Sequence, residues 1–121
     1  MSNPSKRKGD KAELEVQGLL RDLLGVPARR ALGAGRLDDV GDIHGVPDTV
    51  IQVVNYGRRD LATALRKKPL ECEEQRLRAW RAQPDPHLDF YAATFVRLAG
   101  GEYRVVLTPE QWAMYWREAA A

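Results

Sequence analysis

The stretch GDIHGVPDTVIQVVN, residues 41–55, decides how this chain is read. Its second half, TVIQVVN, is dense in β-branched residues, which pack well on a pleated surface and favour extended backbone. The preceding GVPD has glycine and proline where a tight turn needs them, and DIHG reads as a shorter strand, so the whole is predicted to be a hairpin. Side chains alternate across a strand, which sets Val50, Gln52 and Val54 on one face and Ile51, Val53 and Asn55 on the other. Gln52 is then an amide among apolar neighbours, a position that a central strand rarely gives to a polar group without a use for it.

Upstream, Ala12, Val16, Leu19, Leu20 and Leu23 recur at helical spacing and predict a helix over 10–24, stopped by Gly25 and Pro27. Glu13 lies three residues before Val16 and seven before Leu20, on or beside the buried face, whereas Glu15 points nearly the opposite way. A carboxylate aimed at a core is costly unless paired, protonated or bound to metal. Glu13 is therefore either such a group or a rim glutamate reaching solvent or a nearby arginine. PARRALG (27–33) is a candidate short strand, and AGRLDDVGD (34–42) is a polar loop that delivers Asp42 at its end.

Downstream, Asp60 is placed to cap a helix starting at Leu61. Pro69 lacks an amide hydrogen and is expected to break or kink that helix, giving one stretch over 61–68 and another over about 69–81, packed through Leu70, Leu77 and Trp80. QPDPH (83–87) is a loop. DFYAATFVRL (89–98) and EYRVVL (102–107) are strands joined as a hairpin through Ala99, Gly100 and Gly101. Thr108, Pro109 and Gln111 form the N-cap, first position and capping box of a last helix, whose inward stripe is expected to be Trp112, Tyr115, Trp116 and Ala119. The order is helix, three-strand meander, helix, two strands, helix, which predicts an α/β (α+β) fold with a mixed sheet of about five strands flanked by helices.

A chain of 121 residues, 44% of them hydrophobic, is the size of one domain. The expectation is a flexible basic N-terminal tail over 1–8 and a single domain over 9–121. Against 17 Asp and Glu stand 19 Lys and Arg, a formal net charge of +2, so bulk charge says little about partners. Its distribution says more: SKRKGDK (5–11) and YGRRDLATALRKK (56–68) are strongly basic, and such runs are either solvated faces or a surface suited to phosphate backbone. The only cysteine, Cys72, cannot form an internal disulfide, no apolar run approaches the ~18 residues of a membrane span, and the N-terminus lacks the apolar stretch of a signal peptide. A reducing cytoplasm fits these features.

Several chemistries fall away. GAGRLD (33–38) has Asp38 where a dinucleotide fingerprint needs its third glycine, and no strong strand precedes it. The serines, Ser2 and Ser5, lie at the N-terminus, and Cys72 has no sequence-identifiable histidine partner, so nucleophilic hydrolysis has little support. One cysteine with His44 and His87 cannot complete a four-ligand structural zinc site without carboxylates. His44 is either a solvent-facing turn residue or a group within reach of a metal or phosphate on the Asp42 face.

What survives is phosphodiester hydrolysis. That reaction calls for a hard cation, held by one or two carboxylates, to polarise the phosphate and lower the pKa of an attacking water. Asp42 and the side chain at 52, on adjacent strands, would form such a seat, and a lysine two positions further on would stabilise developing charge. Position 54 is Val.

KGDKAELEVQGLL (8–20) followed by RRALGAGRLDDVGDIHGVPDTVIQVVN (29–55) resembles the PD-(D/E)xK nuclease superfamily, above all the small Holliday-junction-resolvase-type proteins of bacteriophages and actinobacteria. The likeness covers roughly residues 8–61, and its most specific part is Gly41, Asp42, Ile43, Gly45, Ile51, Val53 and Asn55 in register. The resemblance implies a restriction-endonuclease-like core and a Mg²⁺- or Mn²⁺-dependent DNA endonuclease acting on branched duplexes as a homodimer. Carried over by position, Glu13, Asp42 and Gln52 become the catalytic residues and, with the Val53 backbone carbonyl, the metal ligands. Gln52 replaces the motif's second acid, and Val54 replaces its lysine, leaving Lys67, Lys68, Arg58 and Arg59 as the nearest substitutes in sequence. Lys6, Arg7, Lys8, Lys11, Arg29, Arg30, Arg36, Asn55, Arg58, Arg59, Lys67 and Lys68 are the residues expected at DNA. With the motif incomplete, the expectations divide between a weak endonuclease, a cleavage-deficient DNA-binding relative, an interaction module for nucleic acid or protein on the same fold, and a globular protein in which Gln52 and Glu13 are satisfied core groups.

Overall fold

The computed structural model describes residues 4–31, 41–55, 61–85 and 87–121. Helix α1 (Pro4–Leu24) leads into strands β1 (Arg29–Arg30), β2 (Ile43–His44) and β3 (Thr49–Asn55). Helix α2 (Leu61–Ala82), strands β4 (Tyr91–Arg97) and β5 (Tyr103–Val106) and helix α3 (Pro109–Ala120) complete the fold. The sheet runs β1-β2-β3-β4-β5; β3 and β4 are parallel and the other neighbours antiparallel, so the predicted element order and mixed sheet hold.

β3 is covered on both faces. On one face Ile51 joins Val16 and Leu20 of α1 with Ile43, Ala93 and Phe95; on the other Val50 meets Cys72 of α2 and Ala92. The register brings Val50 beside Ala92 and Ile51 beside Ala93, so small alanines on β4 let both helices sit close. Each large β3 side chain buried this way contributes roughly 1.5–3 kcal/mol.

Two glycines in the opening stretch are needed for their missing side chains. Gly41 (φ 82°) passes so close to β3 that a Cβ would lie 2.8 Å from the Ile51 carbonyl oxygen, and at Gly45 (φ 90°) it would overlap the Pro27 carbonyl. The turn that follows has Asp48 in the left-handed region, φ 53°, a conformation aspartate tolerates better than most residues.

Four expectations need correction. Helix α1 begins at Pro4 rather than Asp10, since proline suits a first helical turn and the Lys and Arg that follow are good helix formers; its opening residues therefore have helical backbone. Helix α2 is continuous through Pro69. That ring is buried, and its carbonyl accepts a 3.0 Å hydrogen bond from Gln111 Nε2, so packing outweighs the missing amide donor. The fully buried residues of α2 are Ala64, Pro69 and Cys72; of the residues expected to pack, Leu77 and Trp80 are half-buried and Leu70 is 58% exposed. Of the expected stripe of α3, Tyr115 does face inward, its hydroxyl donating to Ala92 O at 3.0 Å, but Gln111 is buried in place of Trp112 and Trp116, which are each 59% exposed. The Gln111 amide accepts from Thr108 N–H at 2.9 Å and donates to Pro69 O and Glu73 Oε1. These bonds leave it without the penalty of an unpaired polar group. The predicted cap itself is present, with Gln111 N–H donating to Thr108 Oγ1 at 3.1 Å.

Gly45→Ala should lower the unfolding free energy by about 3 kcal/mol or more, since left-handed strain adds to backbone overlap. Gly100→Ala, whose Cβ would meet nothing, should cost only the strain, about 1–2 kcal/mol. Equal losses in urea titrations of the two variants would contradict the close approach at Gly45.

Candidate functional site

Asp42 sits where β2 fails to reach the middle of β3. Its own N–H donates to Ile51 O at 2.7 Å, and its carbonyl accepts from Ala31 N–H at 2.9 Å. The Val53 N–H, facing the edge that β2 has vacated, donates instead to Asp42 Oδ2 at 2.8 Å. A strand residue directs its N–H and C=O to the same edge, so the Val53 carbonyl also lies on the Asp42 side of β3. Burial raises the pKa of Asp42; the Val53 N–H, then the charges of Lys68 and Arg30, oppose that rise.

Glu13 reaches the same place from α1. Burial raises its pKa, the Asp42 charge raises it further, and Arg30 opposes both. Arg30 Nε donates to Glu13 Oε1 at 3.1 Å, its terminal nitrogen lies 2.6 Å from Asp10 Oδ1, and its backbone N–H donates to Gln17 Oε1 at 2.9 Å. Asp10, Glu13 and Gln17 follow one stripe of α1 at spacings of three and four. They clasp β1 through this single arginine. Glu13, half-buried, thus reaches a nearby arginine, and the charge of Asp42 acts on it as well.

Gln52 goes elsewhere. It is 8% exposed, on the α2 face of β3, and its Nε2 donates to Gln75 Oε1 at 2.6 Å. Since α1 and α2 cover opposite faces, Gln52 is directed away from Glu13. Val54 is buried on that same α2 face. Lys68, on α2, is the largest opposing positive charge at Asp42, ahead of Arg30, and also pairs with Glu71 at 3.1 Å.

The expected DNA-contacting residues that are described are spread over four elements. Lys11 is exposed on α1, Arg29 is exposed on β1 opposite His44, Asn55 ends β3, and Lys67 is exposed on α2. Lys6, Arg7 and Lys8 belong to the first turns of α1. Arg36, Arg58 and Arg59 lie outside the described residues.

A hard divalent cation would find two carboxylates here, Asp42 and Glu13, and a backbone carbonyl on the same edge. That is the protein contribution Mg²⁺ commonly accepts, with substrate and water oxygens supplying the rest. Desolvated carboxylates with raised pKa values mark functional sites and structural ion pairs alike, so the pair is a candidate seat. Among the described residues, no group of three or more His, Cys, Asp or Glu is arranged to hold a metal. Asp10, Gln17 and Gln75 are the site residues that sequence reasoning missed. The first two were legible in the i, i+3, i+7 stripe they share with Glu13; Gln75 carried no signal.

A raised carboxylate pKa favours the protonated folded state, so this pair stabilises the fold below the ordinary values of 3.8 and 4.5. That contribution is lost as pH rises through the raised pKa values. Asp42→Asn removes one charge and keeps an acceptor for Val53 N–H. Its melting temperature relative to the parent chain should therefore increase as pH rises from about 4 to 7, and the Glu13 carboxyl, followed by NMR, should titrate lower than in the parent. A pH-independent difference would contradict the coupling.

No protein-family model, curated protein or solved structure matches the chain.

Proposed function

We propose that the chain is a DNA-binding protein of the PD-(D/E)xK nuclease type, acting as a weak Mg²⁺- or Mn²⁺-dependent, structure-selective endonuclease on branched duplexes. The observation that carries this reading is the carboxylate pair: Glu13 of α1 and Asp42 at the head of the hairpin are both desolvated, and the Asp42 charge, held beside an edge of β3, raises the pKa of Glu13. The element order supports it too. A helix, an antiparallel meander, a second helix on the opposite face and a strand parallel to the third is the arrangement expected of a restriction-endonuclease-like core.

A bound divalent ion would supply Lewis-acid polarisation of the phosphate and a water of lowered pKa. Asp42 and Glu13 would hold it. Asp42 is oriented by the Val53 N–H, which fixes one carboxylate oxygen and leaves the other direction to a ligand. Lys68 brings positive charge to Asp42 from α2, taking the part that a lysine at position 54 would have played; an ammonium at 54 would instead be buried against α2. Arg30 has to loosen from Glu13 as a cation takes its place, and a guanidinium released beside the seat can fork onto a phosphate. Lys11, Arg29 and Lys67 lie exposed for non-specific backbone contacts.

One observation favours a second reading. Arg30 already neutralises Glu13 and Asp10, so a chain that keeps this clasp closed would bind branched DNA without cutting it.

A labelled four-way junction with Mg²⁺ or Mn²⁺ decides between them. Metal-dependent cleavage should appear in the parent chain, fall at least about 100-fold in Asp42→Ala, and fall about 10-fold or more in Lys68→Met. Binding without cleavage at any metal concentration would establish the second reading. Absence of binding at low salt would overturn both. Arg29→Ala and Lys67→Ala should each reduce the slope of log K against log salt by about 1 without changing preference among junction sequences.

A further inference from the structure

A polar pocket of about 240 Å³ lies towards the β1 edge of the sheet, by the turn from β2 to β3. Arg29, His44, Asp48 and Phe90 wall it, with Ile43 and Val50 in its lining. Arg29 and His44 stand opposite each other in the β1–β2 ladder, which puts both side chains on one face. Arg30, the next residue along β1, pairs with the acids of α1. Alternation turns Arg29 the other way, where it is exposed. The far wall is anchored at two points. Tyr91 N–H donates to Asp48 O at 2.8 Å, tying the turn to the start of β4, and Arg76 of α2 donates to Phe90 O at 3.2 Å. The backbone of this wall is thus set before any ligand arrives, which lowers the ordering cost of binding.

Each group in the wall selects. A guanidinium beside an imidazole takes a phosphate. A phenyl face takes a planar aromatic partner. A carboxylate repels an anion but accepts from an exocyclic amino group, as it does from N4 of cytosine. Together they describe a nucleotide, whereas a bare phosphate would leave Phe90 idle and meet repulsion from Asp48. Size agrees, since the pocket is smaller than the about 300–1,000 Å³ that drug-sized ligands occupy and suits a single base. We propose that it receives one unpaired, amino-bearing DNA base, cytosine in preference to thymine, stacked on Phe90, with its amino group on Asp48 and its phosphate on Arg29 and His44. This assignment rests on the DNA-binding reading and names what the chain reads in a branched duplex: a base outside the stack, which alone offers a free face and a free edge. The pocket adjoins the carboxylate seat. His44 follows Asp42 by two residues on the same side of the strand, about 7 Å along it, a separation that one nucleotide spans.

Fluorescence anisotropy at low salt with three labelled duplexes tests the pocket: one fully paired, one with a single unpaired cytosine and one with a single unpaired thymine. The parent chain should bind the cytosine bulge about 10-fold more tightly than the paired duplex, and more tightly than the thymine bulge. Phe90→Leu should remove the preference for bulged over paired DNA, with its circular dichroism spectrum retained. Asp48→Asn tolerates the same left-handed backbone and adds a donor for thymine O4, so it should bring the thymine bulge level with the cytosine bulge. Equal binding of all three duplexes by the parent would overturn the pocket and leave the DNA-binding reading standing. Binding of none would remove both. A further measurement needs no duplex: in NMR titrations, deoxycytidine monophosphate should shift the Phe90 ring and His44 imidazole signals, whereas inorganic phosphate should leave Phe90 unmoved. Identical shifts from phosphate alone would reduce the pocket to an anion site and overturn the assignment.

Discussion

The bond from Val53 N–H to Asp42 Oδ2 is the constraint on which the candidate site depends. β2 is only two residues long, so β3 extends beyond its neighbour and exposes a backbone donor in a place that water reaches poorly. An orphaned donor there would cost about 1–3 kcal/mol. A carboxylate on the residue just before β2 answers that need, and in doing so is fixed at the edge of the sheet, where burial makes its charge uncomfortable. Structural demand and chemical potential thus come from the same atom. Gly41 allows the approach, since any side chain there would strike Ile51. The Asp42 carbonyl extends the same scaffold by accepting from Ala31, which holds β1 and therefore Arg30 in position.

Arg30 balances what Asp42 and Glu13 create. Its side chain is 32% exposed, so its pairings with Asp10 and Glu13 are partly screened and worth little as isolated salt bridges. Their effect is on register instead. Gln17 receives the Arg30 backbone N–H, and the acids on the same stripe receive its side chain, so α1 can dock against β1 at one height only. Further along, Arg97 and Tyr103 both reach Glu15 of the same helix. α1 is therefore fixed to the sheet at both its flanks by polar contacts, while Val16 and Leu20 supply the burial between them.

The hairpin was legible in the sequence because its signals are local: β-branched density, a turn with glycine and proline, strict alternation. The capping box of α3 and the β4–β5 connection were legible for the same reason. What misled was side-chain character taken without its partners. Trp112 and Trp116 are more hydrophobic than Gln111, yet Gln111 is inside, because beyond its local cap with Thr108 it finds bonds to Pro69 and Glu73 from a distant part of the chain. Pro69 was misjudged likewise, its lost donor outweighed by burial. At the site, the Glu13 and Asp42 positions could be read from periodicity and motif, while the destination of Gln52 could not, since it depends on Gln75, which is remote in sequence and ordinary in composition.

The parallel pairing of β3 with β4 has a consequence in time. Thr49 lies beside Tyr91 and Asn55 beside Arg97, so every rung of that ladder joins residues 42 apart. Closing a loop of that length costs about 3 kcal/mol of chain entropy before any rung repays it. The β2–β3 and β4–β5 turns, by contrast, close over a few residues. Folding should therefore proceed as two locally organised halves that meet late, with α2 shortening the span between them as it forms. A helix that tolerates a proline at its ninth residue is then the step that governs how fast the two halves find each other.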